Sequence, residues 1–364
     1  MVNQLVLENL KHRPLRTLLS TLAIGIAVML VLTIVGLSEG MLEDAARRAA
    51  GVGADIWLRP KAAVGTGAGS APIPEKLVEY IEKMDHVKLA TGAIVYPLQF
   101  PQSVQGVDFA KLGQMSGGMK FLDGGLFTRP GDIIVDEYYA EEKGLKVGSK
   151  VNVMNSDWRV CGIIEPGKLS RLFLPLSVVQ EKMANAGRLS QIFIKLDDPK
   201  HTSAVIAALR EKFSDFAVNS NAEVTSVFSA NSIPAVKIFI RVIIGLALFI
   251  GFVFVFLSMY TAVLERTREV GILKSLGASP GYIVSILLRE AILLGLVGTV
   301  VGIGLSYVTK WTFLALIPAS MQQKIVPDWW PTALLIALGG AVLGTIYPGL
   351  KAAKQDAIEA LAYD

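Results

Sequence analysis

The chain has 364 residues, 52% of them hydrophobic and only 18% charged, with a formal net charge of +4. A mean hydropathy of +0.50 and so few charges lean toward a lipid environment, since soluble domains carry about 25% charged residues. The small basic excess gives no ground for a nucleic-acid partner. The single cysteine, Cys161, excludes an intrachain disulfide. The three histidines, His12, His86 and His201, are far apart in sequence and lack ligand spacing, so no histidine-based metal site is expected.

The first apolar run covers 17–37 without a charge, which matches the ~20 residues needed to cross a ~30 Å hydrocarbon core. Lys11, Arg13 and Arg16 precede it, so the positive-inside rule places the N-terminus in the cytoplasm. The run is longer than the ~7–15 residues of a signal-peptide core, and reads as a retained anchor. Three further runs cover 238–263, 283–308 and 332–350. Lys237 and Arg241 flank the second, Arg289 and Glu290 sit near the inner end of the third, and Trp329 and Trp330 mark the mouth of the fourth. Glycines recur in the third (Gly295, Gly298, Gly302, Gly304) and the fourth (Gly339, Gly340, Gly344), so these two helices are expected to pack on each other or on a second copy.

Four crossings that start inside also end inside. The expected fold is therefore a membrane α-helical protein with four transmembrane helices and a large extracytoplasmic α/β domain inserted between helices 1 and 2. Residues 1–38 hold the cytoplasmic N-terminus and the first helix, 39–236 the extracytoplasmic domain, and 237–364 the other three helices. Both the 264–282 loop and the C-terminal tail then lie in the cytoplasm, and both carry the basic residues the rule requires.

Within 39–236 the pattern predicts strands at 54–58, 132–135, 150–153, 158–164 and 191–196. Helices are predicted at 74–84, 137–143 and 202–213, with a glycine-rich loop at 64–70. The strand-rich middle suggests two subdomains. Gly162 to Lys168 fits G-x-x-x-x-G-K, but Leu169 replaces the hydroxyl that would hold Mg²⁺, so a strand-to-turn role is expected.

The 264–282 loop carries the most information. Glu265, Arg266, Arg268 and Glu269 open it, Val270, Ile272, Leu273 and Leu276 form an apolar stripe, and Gly277 and Pro280 end it. This amphipathic pattern serves equally a helix lying on headgroups and one docking into a partner's groove. Glu39, at the outer end of the first run, is a candidate substrate contact, set against simple exposure to interfacial water.

The loop resembles the cytoplasmic signature of FtsX-like, MacB-type ABC transporter permeases, E-R-x-x-E-x-G-x-x-[KR]-[AS]-[LI]-G-A. Glu265, Arg266, Glu269, Gly271, Lys274, Ser275, Leu276, Gly277 and Ala278 fall in register with it. Tyr347-Pro348-Gly349 through Leu361 is similar to the family's tail, with Ala357 where proline is usual. Arg16 to Leu19, Gly36 to Gly40, and Tyr139 to Ser149 are similar to further family elements.

The resemblance implies a non-catalytic permease subunit of the cell membrane. It would work as a homodimer or a heterodimer with a related permease, in contact with membrane lipid and with two copies of a separate cytoplasmic ABC ATPase. ATP and Mg²⁺ would be bound by that ATPase, and no cofactor by this chain. Glu265, Arg266, Arg268, Glu269, Gly271, Lys274, Ser275 and Gly277 would couple to it. The implied function is export or extraction of an amphiphilic substrate (lipoprotein, peptide, macrolide, glycolipid or haem) by mechanotransmission, with a periplasmic adaptor as a candidate partner. The alternative is an FtsX-type signal transducer that activates a partner such as a cell-wall hydrolase without cargo.

Overall fold

A computed structural model describes residues 14–61, 73–98, 102–228, 234–265 and 267–354, except for the side chains of Pro234, Ala235, Arg268 and Glu269. The predicted 64–70 loop, Arg266, and the tail beyond 354 lie outside the described residues. Two compact units result: Met1–Glu39, Pro234–Thr312 and Gln323–Asp364 form the first, and Gly40–Ile233 with Phe313–Gln322 forms the second.

The first unit is a helical bundle. Helix α1 (Pro14–Ala50) has 37 residues and therefore runs about 55 Å. It continues past the predicted end at 37 because Glu-Asp-Ala-Ala-Arg-Arg-Ala-Ala, though polar, is made largely of strong helix formers. Of the other elements, α8 (Pro234–Glu265), α10 (Pro280–Leu316) and α11 (Trp330–Lys354) are the long ones, and α9 (Thr267–Ser275) is a short helix between α8 and α10. Four helices among the described residues are long and apolar enough to cross a membrane. Their buried faces meet at Ile24, Val28, Leu32, Val255, Met259, Leu294 and Ala341, while Phe249, Val300 and Leu335 point outward.

Glycines set the spacing of this bundle, but not in the expected pairing. A Cβ on Gly302 of α10 would lie 2.6 Å from Gly25 O of α1, and one on Gly344 of α11 would lie 2.8 Å from Phe252 O of α8. Only Gly295 of the third helix bears on the fourth, toward Leu338 and Ala341. The glycine faces are thus used mostly on helices 1 and 2. Interhelical hydroxyl pairs reinforce the packing: Ser20 Oγ donates to Ser258 Oγ at 2.7 Å, and Thr33 and Thr309 share a 3.0 Å hydrogen bond.

The second unit is built on one ten-stranded mixed sheet. Its strands are β1 (Ile56–Pro60), β3 (Val87–Pro97), β4 (Ser103–Val107), β5 (Phe121–Gly124), β6 (Asp132–Asp136), β7 (Lys150–Val153), β8 (Ser156–Ile164), β9 (Leu172–Pro175), β11 (Gln191–Leu196) and β12 (Phe216–Ser220). The short β2 (Ile73–Pro74) and β10 (Arg188–Leu189) pair separately. Strand order is β12-β1-β11-β3-β4-β9-β6-β8-β5, with β7 on β8. The expected division into two subdomains is replaced by this continuous ladder. Its halves join where β4 and β9 run parallel, Val104 opposite Leu172.

Helices α2 (Lys76–Glu82), α3 (Phe109–Met115), α4 (Glu137–Lys143), α5 (Leu176–Lys182), α6 (Thr202–Lys212) and α7 (Asn221–Val227) complete the unit. Their starts follow side-chain chemistry: Asp108 caps α3, Asp136 caps α4, and Ser220 with Glu223 forms a capping box on α7. The Gly162–Lys168 segment is a strand end and turn, with Gly167 at φ +96° and Lys168 Nζ donating to Ser116 O at 3.0 Å. Buried Arg171 lies 2.8 Å from both Asp44 and Asp136. Glu142, on α4, accepts from Ala319 N, Ser320 N and Ser320 Oγ at 3.0–3.1 Å, which clasps the segment following α10.

Candidate functional site

The segment from Glu265 to Pro280 turns the chain from one membrane-length helix to the next, and each turn is written in a few residues. α8 ends at Glu265 and α9 follows at Thr267, a buried residue whose hydroxyl donates back to Val263 O and Leu264 O. α9 stops in a Schellman arrangement: Gly277 N donates to Lys274 O at 2.9 Å and Ala278 N to Leu273 O at 3.0 Å. This requires the left-handed φ of +93° at Gly277, which glycine reaches without a Cβ penalty. Two residues on, Ser279 caps α10 by accepting from Tyr282 N at 3.3 Å, and Pro280 takes the first helical position.

The faces of α9 sort by helical spacing. Thr267 and Gly271 are buried, and Val270 packs on the bundle core. Ile272 and Leu276, one turn apart, face out, and Leu276 is 80% exposed. The apolar stripe read from the sequence is therefore divided between the bundle and the surroundings.

At the base of α9, one arginine joins three helices. Arg16 of α1 lies 3.5 Å from Glu265 Oε2 at the end of α8 and 3.2 Å from Glu290 Oε1 on α10. The Glu290 side chain is fully buried and that of Arg16 is 17% exposed. In the sequence Arg16 reads as a charge that orients the first helix, and nothing local pairs it with Glu290, 274 residues away. The signal was a carboxylate inside an apolar run, which is costly without a partner.

Of the predicted coupling residues, Glu265, Gly271, Lys274, Ser275 and Gly277 lie together on or beside α9. Lys274 is half-buried, and exposed Ser275 donates its hydroxyl to Ile272 O at 2.8 Å. Arg266, and the side chains of Arg268 and Glu269, fall outside the described residues. Glu39 is apart from this group, half-buried on α1 about three turns before its end.

Residues 241–357 match the FtsX-like permease C-terminal domain and residues 17–212 the MacB-like periplasmic core domain. The chain is 28% identical, over 74% of its length, to the macrolide export ATP-binding/permease protein MacB of Photorhabdus laumondii. It is 26% identical, over 97% of its length, to MacB 2 of Aeromonas hydrophila. It spans 41% and 59% of those two proteins. Among solved structures, the periplasmic region of MacB from Actinobacillus actinomycetemcomitans aligns with 48% of this chain and 94% of that one, at 15% identity and a TM-score of 0.36. With the two domain matches in tandem and four membrane-length helices, the chain belongs to the FtsX-like, MacB-type ABC transporter permease family.

Proposed function

We propose that this permease converts closure of a cytoplasmic ATPase into movement of the extracytoplasmic unit, and so exports or extracts an amphiphilic substrate. In this reading both ends of the chain and α9 lie in the cytoplasm, and the outward Ile272–Leu276 face docks in a groove of the ATPase. Two copies of the permease would face two ATPase subunits. The relatives' export of macrolides makes amphiphiles of that kind the first cargo to test.

The observation that carries the reading is the Arg16 bridge. A push on α9 acts on Glu265, and through Arg16 on both α1 and α10. Those two helices are also the ones that extend furthest, at 37 residues each. A rigid helix moved at one end displaces the other, so a lever needs no substrate path through the bundle.

The test uses the chain reconstituted in lipid with its ATPase. Glu269→Lys together with Gly271→Pro is expected to abolish macrolide- or lipopeptide-stimulated ATP hydrolysis, while the extracytoplasmic unit keeps its fold. Unchanged ATPase binding and stimulated turnover would remove α9 from the coupling role. Glu39→Gln is expected to alter ligand stimulation if that carboxylate meets the substrate. An ATPase cycle indifferent to every amphiphile, with a co-purifying wall hydrolase, would favour signal transduction instead.

A further inference from the structure

Two of the three histidines, remote in sequence, meet at one end of the sheet. β3 and β11 pair antiparallel with Val87 opposite Leu196. His86, just before β3, and Asp197, just after β11, therefore share the end of that ladder, and Asp197 N donates to His86 O at 3.1 Å. Asp198 caps the 3-10 turn Pro199–His201, which returns the chain so that His201 stands one turn beyond Asp197.

The three side chains converge. His86 Nδ1 lies 3.1 Å from Asp197 Oδ2, and His201 Nδ1 lies 3.0 Å from Asp197 Oδ1. The imidazole centroids lie 3.7 Å apart with the ring planes tilted by 30°. His86 holds φ +65°, a region uncommon outside glycine and persisting where the surroundings enforce it.

One donor atom from each residue falls within 4.8 Å of the others. Donors around a tetrahedral zinc, at bonds of ~2.0–2.1 Å, stand roughly 3.3 Å apart. The two contacts to Asp197, one to each carboxylate oxygen, differ from that by a few tenths of an ångström, and the widest donor separation, at most 4.8 Å, has to close by rotation of side chains that are 38–52% exposed. Two imidazole nitrogens and one carboxylate oxygen suit a first-row transition ion better than Ca²⁺ or Mg²⁺, which prefer all-oxygen shells. A cleft of about 400 Å³, lined by Tyr80, Asp85, His86 and Lys212 among others, opens beside the cluster and gives an ion access.

We propose that His86, Asp197 and His201 bind a divalent first-row transition ion, with zinc as the test ion, which pins the start of β3 to the end of β11 and the start of α6. The chain is well suited to a clean test. His12 is the only other histidine. The buried Cys161 thiol is pushed up to about 11, first by burial, and does not compete as a thiolate.

Untagged full-length protein in detergent is titrated with Zn²⁺ against a chromophoric chelator at neutral pH. The wild type is expected to take up one zinc per chain. His86→Gln and His201→Gln should each weaken binding roughly tenfold or more, at least the loss seen when only an outer partner of a metal ligand is removed. His12→Gln should leave it unchanged. Zinc should raise the melting temperature of the wild type but not of the double variant, since a ligand that binds only the folded state stabilises it. Equal zinc affinity in the wild type and the double variant, or loss of binding in His12→Gln, would overturn the assignment.

Discussion

Arg16 and Glu290 form an ion pair, Nη2 to Oε1 at 3.2 Å, between the start of α1 and the first third of α10. Breaking a buried pair from one side strands the other charge at a cost of about 3–5 kcal/mol, whereas replacing both partners with apolar residues is often neutral. Arg16→Met is therefore expected to lower the melting temperature in detergent markedly, and Arg16→Met with Glu290→Met to recover most of the loss. If the double variant melts no higher than the single one, the two residues are not a coupled pair.

Asp132, at the start of β6, is expected to make the sheet sensitive to acid. Burial pushes its carboxyl up, but Thr128 N–H, Arg159, the Thr128 hydroxyl and Arg129 N–H together outweigh burial and set it at about 2. Those contacts are 2.8–2.9 Å long. The folded value lies below the unfolded one, ~3.9. The stabilisation, about 2 kcal/mol, is thus fully present above pH ~4 and lost as pH falls toward 2. Melting curves of wild type and Asp132→Asn should differ at pH 6 and converge on acidification. A gap that persists unchanged at pH 2 would contradict this origin.

Contact between α8 and α11 depends on an absent side chain at Gly344, where a Cβ would lie 2.8 Å from Phe252 O and 2.9 Å from Phe256 N. Gly304 has nothing within 4 Å. Gly344→Ala is expected to destabilise the bundle by about 1–3 kcal/mol through overpacking. Gly304→Ala should be neutral or slightly stabilising, because alanine costs less backbone entropy in a helix. Thermal melting of the two variants in detergent tests the contrast, which fails if both behave alike.

Leu276, the residue that follows α9, is 80% exposed. Leu276→Asp should change stability by no more than ~0.5 kcal/mol, as surface substitutions do, yet abolish binding of the partner ATPase. Co-purification and melting, measured on the same preparation, separate the two effects. Intact co-purification would show that this face does not dock.

Elements with strong local signals were legible in the chain. The helix Glu137–Lys143 and the strands Lys150–Val153 and Gln191–Leu196 fall at their predicted bounds, because their patterns and caps are short-range. Strands β3 and β4 were not anticipated. Gly92 and Gly106 interrupt them, and a Cβ at either would run into Leu189, or into Ile94 and Val179; a glycine that reads locally as a breaker serves close packing from elsewhere. β9, Leu-Phe-Leu-Pro, is too short to show a period, yet it joins the two halves of the sheet.

The amino-acid order determined the four lipid-length apolar runs, the α/β character of the inserted unit, and the stop–turn–start code around Gly277, because hydrophobic length and backbone preferences are local properties. The tertiary structure alone decided which helix each glycine face meets, that one sheet replaces two subdomains, that Arg16 bridges Glu265 and Glu290, and that His86 and His201 stand ring to ring about Asp197. Those pairings join residues up to hundreds of positions apart, and no local preference encodes them. The helix contacts and the Arg16 bridge are selected only when burial makes an unpaired charge or a misplaced methyl group costly, whereas the exposed histidine cluster is placed by the pairing of β3 with β11.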